Sequence, residues 1–144
     1  MIDILRIKNL GVTFVSEENP INAVIDASLF VKRSQRVGLI GESGSGKSVI
    51  ARAILKLHNS KTTHYHKSSK IELDGHDVLA LTESRMHKLR GETISMVFQN
   101  PMHSLNPSFR IGTQLKSVLS AHRKLRKFEA SRAIFSALKS VDLP

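Results

Sequence analysis

The chain has 144 residues, no cysteine and a formal net charge of +10. This length fits one domain with a real hydrophobic core, and the lack of cysteine excludes disulfides, thiolate zinc sites and cysteine catalysis. The sequence has neither an apolar run of about 18 residues nor a signal-peptide core, so neither a membrane span nor secretion is expected, and the lack of cysteine suits a cytosolic protein.

The basic excess lies mainly toward the C-terminus, where residues 109–144 hold eight basic and two acidic residues. Such a charge can attract nucleic acid or an anionic membrane surface. The strongest candidate is the run Arg-Lys-Leu-Arg-Lys at 123–127. Because no aromatic residues interleave with it, a solvated helix end is favoured over a nucleic-acid interface.

The first part of the chain has the composition of an antiparallel β-layer. Residues 4–7, 12–15 and 24–31 are predicted strands, and the polar break at 17–20 is consistent with a hairpin connection. Residues 36–40 (Arg-Val-Gly-Leu-Ile) form the short apolar run expected of a strand buried in a parallel sheet.

The next segment, Gly-Glu-Ser-Gly-Ser-Gly-Lys-Ser at 41–48, is a complete G-x-x-x-x-G-K-[ST] phosphate-binding loop. The apolar residues Ile50, Ala53, Ile54 and Leu57 follow it at the spacing of a helix that packs one face on a sheet. The order strand, glycine loop, helix is the context that the motif requires. The loop therefore predicts a nucleoside triphosphate as ligand, with Lys47 reaching the β- and γ-phosphates and the Ser48 hydroxyl ligating Mg²⁺.

Residues 59–69 are polar and aperiodic, and predict a solvated loop. His64 and His66 could form a metal pair, but no third ligand accompanies them nearby, so the loop interpretation is favoured. Residues 71–73 and the following Asp-Gly pair predict a short strand that ends in a turn.

Thr82 is a good N-cap for a helix over 83–90, and Gly91 suits its C-terminal end. Residues 94–98 (Ile-Ser-Met-Val-Phe) are a second buried-strand candidate, which ends at Gln99. Two amphipathic helices follow, one that Thr113 could cap and one with an apolar stripe from 130 to 141.

A second motif distinguishes among the families that share the phosphate-binding loop. It is the segment at 98–107, Phe-Gln-Asn-Pro-Met-His-Ser-Leu-Asn-Pro. It resembles the Q-loop region of ABC transporter ATP-binding subunits, and within them the dipeptide/oligopeptide (or nickel) importer branch. Leu-Asp-Gly-His-Asp-Val-Leu at 73–79, Leu-Arg-Gly at 89–91 and Ile-Gly-Thr-Gln-Leu at 111–115 agree with this resemblance, which covers essentially the whole chain.

The resemblance implies an α/β fold, the N-terminal half of the P-loop NTPase core of an ABC ATPase. It would contain an antiparallel β-layer, part of a parallel sheet with helices, and the start of the helical subdomain. Residues 1–98 would form the partial core, and residues 99–144 the Q-loop and the beginning of the helical subdomain.

The resemblance also implies the site residues and the cofactors, ATP and Mg²⁺. Phe14 aligns with the aromatic residue that stacks on adenine, although a strand residue facing the core is the alternative. Gln99 matches the glutamine that contacts Mg²⁺ and the attacking water. The cofactor-binding set is Phe14, Gly41, Glu42, Ser43, Gly44, Ser45, Gly46, Lys47, Ser48 and Val49.

The implied partners are membrane permease subunits, contacted through the Q-loop region, and a second ATP-binding subunit in a head-to-tail dimer. The solute-binding protein would take part only indirectly, and no nucleic acid is expected. The implied location is cytoplasmic, peripheral on the inner face of the cell membrane.

The 144 residues contain no Leu-Ser-Gly-Gly-Gln signature, no Walker B segment and no switch histidine of the family. Lys47 and Gln99 therefore contribute to an incomplete catalytic set, and the chain alone is expected to bind nucleotide without hydrolysing it. A non-catalytic nucleotide- or permease-binding fragment and a remnant that hardly folds are the alternatives.

Overall fold

A long antiparallel hairpin forms the framework of the first part of the chain. The structure is a computed structural model, which describes residues 3–16, 19–100, 104–123 and 125–143. Strand β1 (Asp3–Phe14) pairs with β2 (Ile21–Lys32) along nearly its whole length, with Phe14 opposite Ile21 and Asp3 opposite Lys32. The chain forms two compact units, and the boundary between them lies between Ile94 and Ser95.

Strand β1 joins the two segments that the sequence predicts as separate strands, 4–7 and 12–15. The separation was wrong because the polar stretch between them stays in the sheet as an irregularity. Asn9 has a φ of 47°, and the pairing register with β2 shifts on both sides of Leu10. Bulges of this kind bend a strand without ending it.

Three short strands complete the sheet of the first unit. They are β3 (Thr63–Tyr65), β4 (Lys70–Leu73) and β5 (His76–Asp77), and the sheet order is β2-β1-β4-β5 with β3 also paired to β1. The predicted strand at 71–73 and its Asp-Gly turn are confirmed. The loop predicted over 59–69 is wrong at β3, because residues 63–65 find open hydrogen-bonding positions beside the end of β1.

Two helices pack on this sheet. Helix α1 (Lys47–Ile54) buries Ile50 and Ala53, as its apolar spacing predicts, and ends earlier than Leu57 because Lys56 turns the backbone at a φ of 52°. Helix α2 (Glu83–Glu92) buries Met86, follows Thr82 as predicted, and breaks at Gly91, which has a φ of 93°. The largest fully buried core side chains are Ile7, Leu10, Val12, Ile71, Val78 and Met86.

The two predicted buried strands, 36–40 and 94–98, are irregular in the structure. Ile40 is 95% exposed and Val97 is 90% exposed. A parallel strand is stable when neighbouring strands pair with it and helices cover its faces. Among the described residues, Arg90 and Ile94 form an isolated parallel bridge, and no described strand pairs with either segment. The predicted parallel part of the sheet is therefore absent from the described residues.

The second unit contains helices α3 (Ile111–His122) and α4 (Lys127–Lys139), which contact each other. Both predicted helices are confirmed, but the N-cap position of α3 is Arg110 and not Thr113. The Gln114 side chain accepts a hydrogen bond from the Asn106 amide and donates one to the Phe109 carbonyl, each at 2.9 Å. These bonds connect the preceding loop to α3. Within the described ranges, no helix has the length and apolar character needed to cross a membrane.

Candidate functional site

The glycine loop leads directly into helix α1. Gly44 and Gly46 have φ angles of 83° and 87°, in the left-handed region that favours glycine. The Ser45 amide closes a turn onto the Glu42 carbonyl at 3.2 Å, and the Ile50 amide donates to the Gly46 carbonyl at 2.9 Å. Because the bond from Ile50 is the first of the helix, the amides of Lys47, Ser48 and Val49 have no carbonyl acceptor within α1.

Gly46 also has a steric reason to be glycine. A Cβ atom at this position would lie 2.7 Å from the Ala23 carbonyl oxygen and 3.1 Å from Val24 Cγ2 in β2. The loop backbone therefore lies directly against β2 at this point. This contact fixes where α1 begins relative to the hairpin.

The Lys47 ammonium group lies within the loop. It donates to the carbonyl oxygens of Gly41 and Glu42 at 2.7 and 2.5 Å, and to the Ser45 hydroxyl at 3.0 Å. The loop thus curls around a positive charge at the N-terminus of a helix, where the helix dipole adds further positive potential. This arrangement is suited to an anion with several oxygen atoms.

The remaining residues of the predicted nucleotide set lie around this centre. Glu42, Ser43 and Ser48 are exposed, and Val49 is partly buried. The exposed hydroxyl of Ser48, in the first turn of α1, is the type of oxygen ligand that Mg²⁺ accepts. In the described part of the chain, no group of three or more His, Asp or Glu side chains is placed to hold a metal ion. A hydroxyl in the first turn fits an ion held largely by phosphate and water oxygens.

Phe14 and Gln99 lie in different units. Phe14 is half-buried at the end of β1, packs against the core, and meets the His58 ring edge-on with the ring centroids 5.3 Å apart. Gln99 belongs to the second unit, where it is exposed in irregular backbone. Their assigned roles stay predictions.

The two histidines of the suggested metal pair have separate surroundings. His64 lies in β3 and is exposed, whereas the His66 ring lies over Gly11, where an added Cβ would come within 2.1 Å of Nδ1. His66 Nε2 is 3.2 Å from the Thr13 hydroxyl. A structural role for His66 in the sheet accounts for these contacts.

Sequence reasoning missed the side chains that contact α1 and the residues after it. His58 Nε2 lies 2.9 Å from the Val49 carbonyl in the first turn of the helix. Arg90 donates to the carbonyls of Leu55 and Lys56, just past its C-terminal end, at 2.8 and 2.9 Å. A basic residue that contacts a helix more than 30 residues earlier in the chain leaves no local sequence pattern by which it could be recognised. The Leu-Arg-Gly stretch at 89–91 is recognisable in the sequence only through the family resemblance.

The solved structures place this fold in a class. The chain superimposes on the dimeric structure of the ATP-binding cassette MJ0796, bound to ADP and Pi in a post-hydrolysis state, with a TM-score of 0.79. The match has 23% sequence identity and covers 97% of this chain and 58% of that one. The fold is therefore that of an ABC-type ATPase.

The sequence comparisons give the family. The ABC transporter profile matches residues 24–144, and the chain belongs to this family. It is 38% identical to the oligopeptide transport ATP-binding protein OppD of Escherichia coli and 35% identical to OppD of Bacillus subtilis, each over 141 residues. These matches cover 98% of this chain but only 41% and 39% of the two relatives. The chain thus spans about two fifths of the length of these relatives.

Proposed function

We propose that this chain supplies the phosphate-binding half of the ATP-binding subunit of an ABC importer for di- or oligopeptides. The observation that carries the proposal is the Lys47 ammonium group, which the loop holds at the N-terminus of α1. The similarity to OppD proteins supports peptides as the solute class. The solute itself would be selected by other subunits.

In this proposal the loop amides and Lys47 bind the phosphates of ATP. The Lys47 ammonium group now donates hydrogen bonds to carbonyl and hydroxyl oxygens of the loop. In the complex it would donate instead to the β- and γ-phosphate oxygens, which carry more negative charge. Ser48 would hold Mg²⁺, which supplies charge neutralisation at the phosphates. Phe14 would contact the adenine ring, and Gln99 would contact Mg²⁺ and the attacking water.

The partners and location follow from the same proposal. Residues 100–115, of which 101–103 lie outside the described residues, would face membrane permease subunits. A second ATP-binding subunit would complete the nucleotide site in a head-to-tail dimer. The chain would then lie on the cytoplasmic face of the membrane, held there by the permease.

We infer that a polypeptide of these 144 residues binds ATP without hydrolysing it at an appreciable rate. Phosphoryl transfer depends on the combined positioning and electrostatics of several groups. The signature, the Walker B carboxylates and the switch histidine are not among these residues. Steady-state phosphate release at family-like turnover, abolished by Lys47→Ala, would contradict this inference.

Two competing functions give different results in simple experiments. A permease-binding fragment without a nucleotide role would show no saturable ATP binding. A remnant that hardly folds, which the exposed apolar residues at 36–40 and 94–98 favour, would unfold in urea without a cooperative transition. Steeply salt-dependent DNA binding would favour a nucleic-acid function instead.

The direct test of the proposal is a titration of the purified chain with a fluorescent ATP analogue and Mg²⁺. We expect saturable binding that Lys47→Ala removes, because the loop then lacks its central charge. Lys61→Ala is the matched control, since it removes one positive charge from an exposed loop. Equal binding by wild type and Lys47→Ala would refute the assigned role of the loop.

A further inference from the structure

The C-terminal end of α1 is held by the guanidinium group of Arg90. Its Nε donates to the Leu55 carbonyl at 2.8 Å, and its Nη2 donates to the Lys56 carbonyl at 2.9 Å. Carbonyls at the end of a helix lack amide donors in the following turn and carry the negative end of the helix dipole. The Arg90 side chain is only 21% exposed, so it makes these bonds partly shielded from water.

A second cation strengthens the same end of the helix. Lys56 donates from Nζ to the carbonyls of Leu79 and Leu81 at 3.0 and 2.6 Å. Glu83 in α2 accepts a hydrogen bond from Arg90, and this bond is the main reason that the pKa of Glu83 lies below its ordinary value. Charged side chains from two segments, Lys56 after α1 and the Arg90–Glu83 pair of α2, therefore converge where α1 ends.

Arg90 also belongs to the turn through which the chain leaves α2. The Gly91 amide donates to the Ile94 carbonyl at 2.8 Å, and the Ile94 amide donates to the Leu89 carbonyl at 3.1 Å. Gly91 has a φ of 93°, which reverses the backbone beside Arg90. From Ile94 the sequence continues over four residues to Gln99.

We propose that Arg90 is a positioning residue for the nucleotide site. By bonding to the carbonyls of the two residues that follow α1, Leu55 and Lys56, it fixes the helix that carries the loop amides and Lys47 against the turn 90–94. Helix α1 has eight residues and is about 12 Å long, so a displacement at its C-terminal end tilts the amides at the other end. Shifts of about 1 Å at a binding group are costly to its function.

This inference rests on the proposed function, and its test uses the same titration with the fluorescent ATP analogue and Mg²⁺. Arg90→Gln removes the forked donor, and we expect the Kd to rise by about five- to tenfold, a modest coupling between separated groups. Glu83→Gln is the matched control, because it removes the partner carboxylate and leaves both bonds to the Leu55 and Lys56 carbonyls in place. It should change the Kd by less than about twofold.

A second measurement separates positioning from general stabilisation. If Arg90 joins the two segments, saturating nucleotide should slow amide hydrogen exchange at Gly91 and Ile94 in the wild type, followed by NMR. Coupling between sites is reciprocal, so Arg90→Gln should lose this added protection together with the affinity.

The outcomes that overturn the inference are distinct from failure of the proposed function. An Arg90→Gln variant that melts at a lower temperature, but keeps the wild-type Kd and the wild-type exchange response, assigns Arg90 a purely structural role. If Arg90→Gln does not fold, Arg90→Lys decides, because lysine keeps the charge but lacks the planar fork. An unchanged Kd in that variant also overturns the inference. Absence of nucleotide binding by the wild type would refute the proposed function itself.

Discussion

Replacing Gly46 by alanine should destabilise the chain more than replacing Gly44 by alanine. Both residues have nearly the same left-handed backbone, with φ angles of 87° and 83°. Each substitution therefore costs about 1–2 kcal/mol for placing a Cβ in that conformation. At Gly44 the added Cβ meets no heavy atom within 4 Å, whereas at Gly46 it would lie 2.7 Å from the Ala23 carbonyl oxygen.

The collision of the added Cβ with the β2 backbone forces either the loop or β2 to shift, and such overpacking costs a further ~1–3 kcal/mol. We thus expect a free energy of unfolding lower by about 2–5 kcal/mol for Gly46→Ala and by about 1–2 kcal/mol for Gly44→Ala. Urea unfolding followed by circular dichroism measures both values. Equal losses in the two variants would refute the contact between the loop and β2.

Two further predictions concern the core and the sheet of the first unit. Met86→Ala should lower the free energy of unfolding by about 2–5 kcal/mol because Met86 is fully buried, whereas Ile40→Ala, at a 95% exposed position, should change it by less than about 0.5 kcal/mol. A large loss at Ile40 would show that residues 36–40 do form a buried strand. Tyr65→Phe should raise the free energy of unfolding by about 1 kcal/mol, since the buried Tyr65 hydroxyl has no hydrogen-bond partner among the described residues. Burial raises the pKa of Tyr65, so the free energy of unfolding falls as the pH rises from the pKa of an unfolded tyrosine through the higher folded value. The wild type should therefore lose stability at alkaline pH more steeply than Tyr65→Phe, and identical pH profiles would contradict this.

Local patterns predicted the parts of the fold that depend on neighbouring residues. The glycine loop, the helix that begins at Lys47, and the Asp74–Gly75 turn each require particular residues at particular positions, and these elements are present. The N-terminal strands were recognised by composition, but their division was wrong because a bulge at Asn9 resembles a strand break in sequence.

Features that depend on distant residues could not be predicted in the same way. The apolar runs at 36–40 and 94–98 predict strands only if other strands lie beside them, and the described residues supply none. The contacts of Arg90 with Leu55 and Lys56 join positions more than 30 residues apart, so no periodicity marks them. The charge centre of the candidate site was predicted from its motif, whereas the side chains that hold its supporting helix were not.

Isothermal titration of the purified chain with ATP and Mg²⁺, for wild type, Lys47→Ala and Lys61→Ala, tests whether Lys47 and its loop bind nucleotide. The loop geometry predicts saturable binding for wild type and Lys61→Ala, and loss of binding for Lys47→Ala, while circular dichroism shows that all three are folded. Binding that survives in folded Lys47→Ala, or folded wild type that binds no nucleotide, would contradict a phosphate-binding role for the loop.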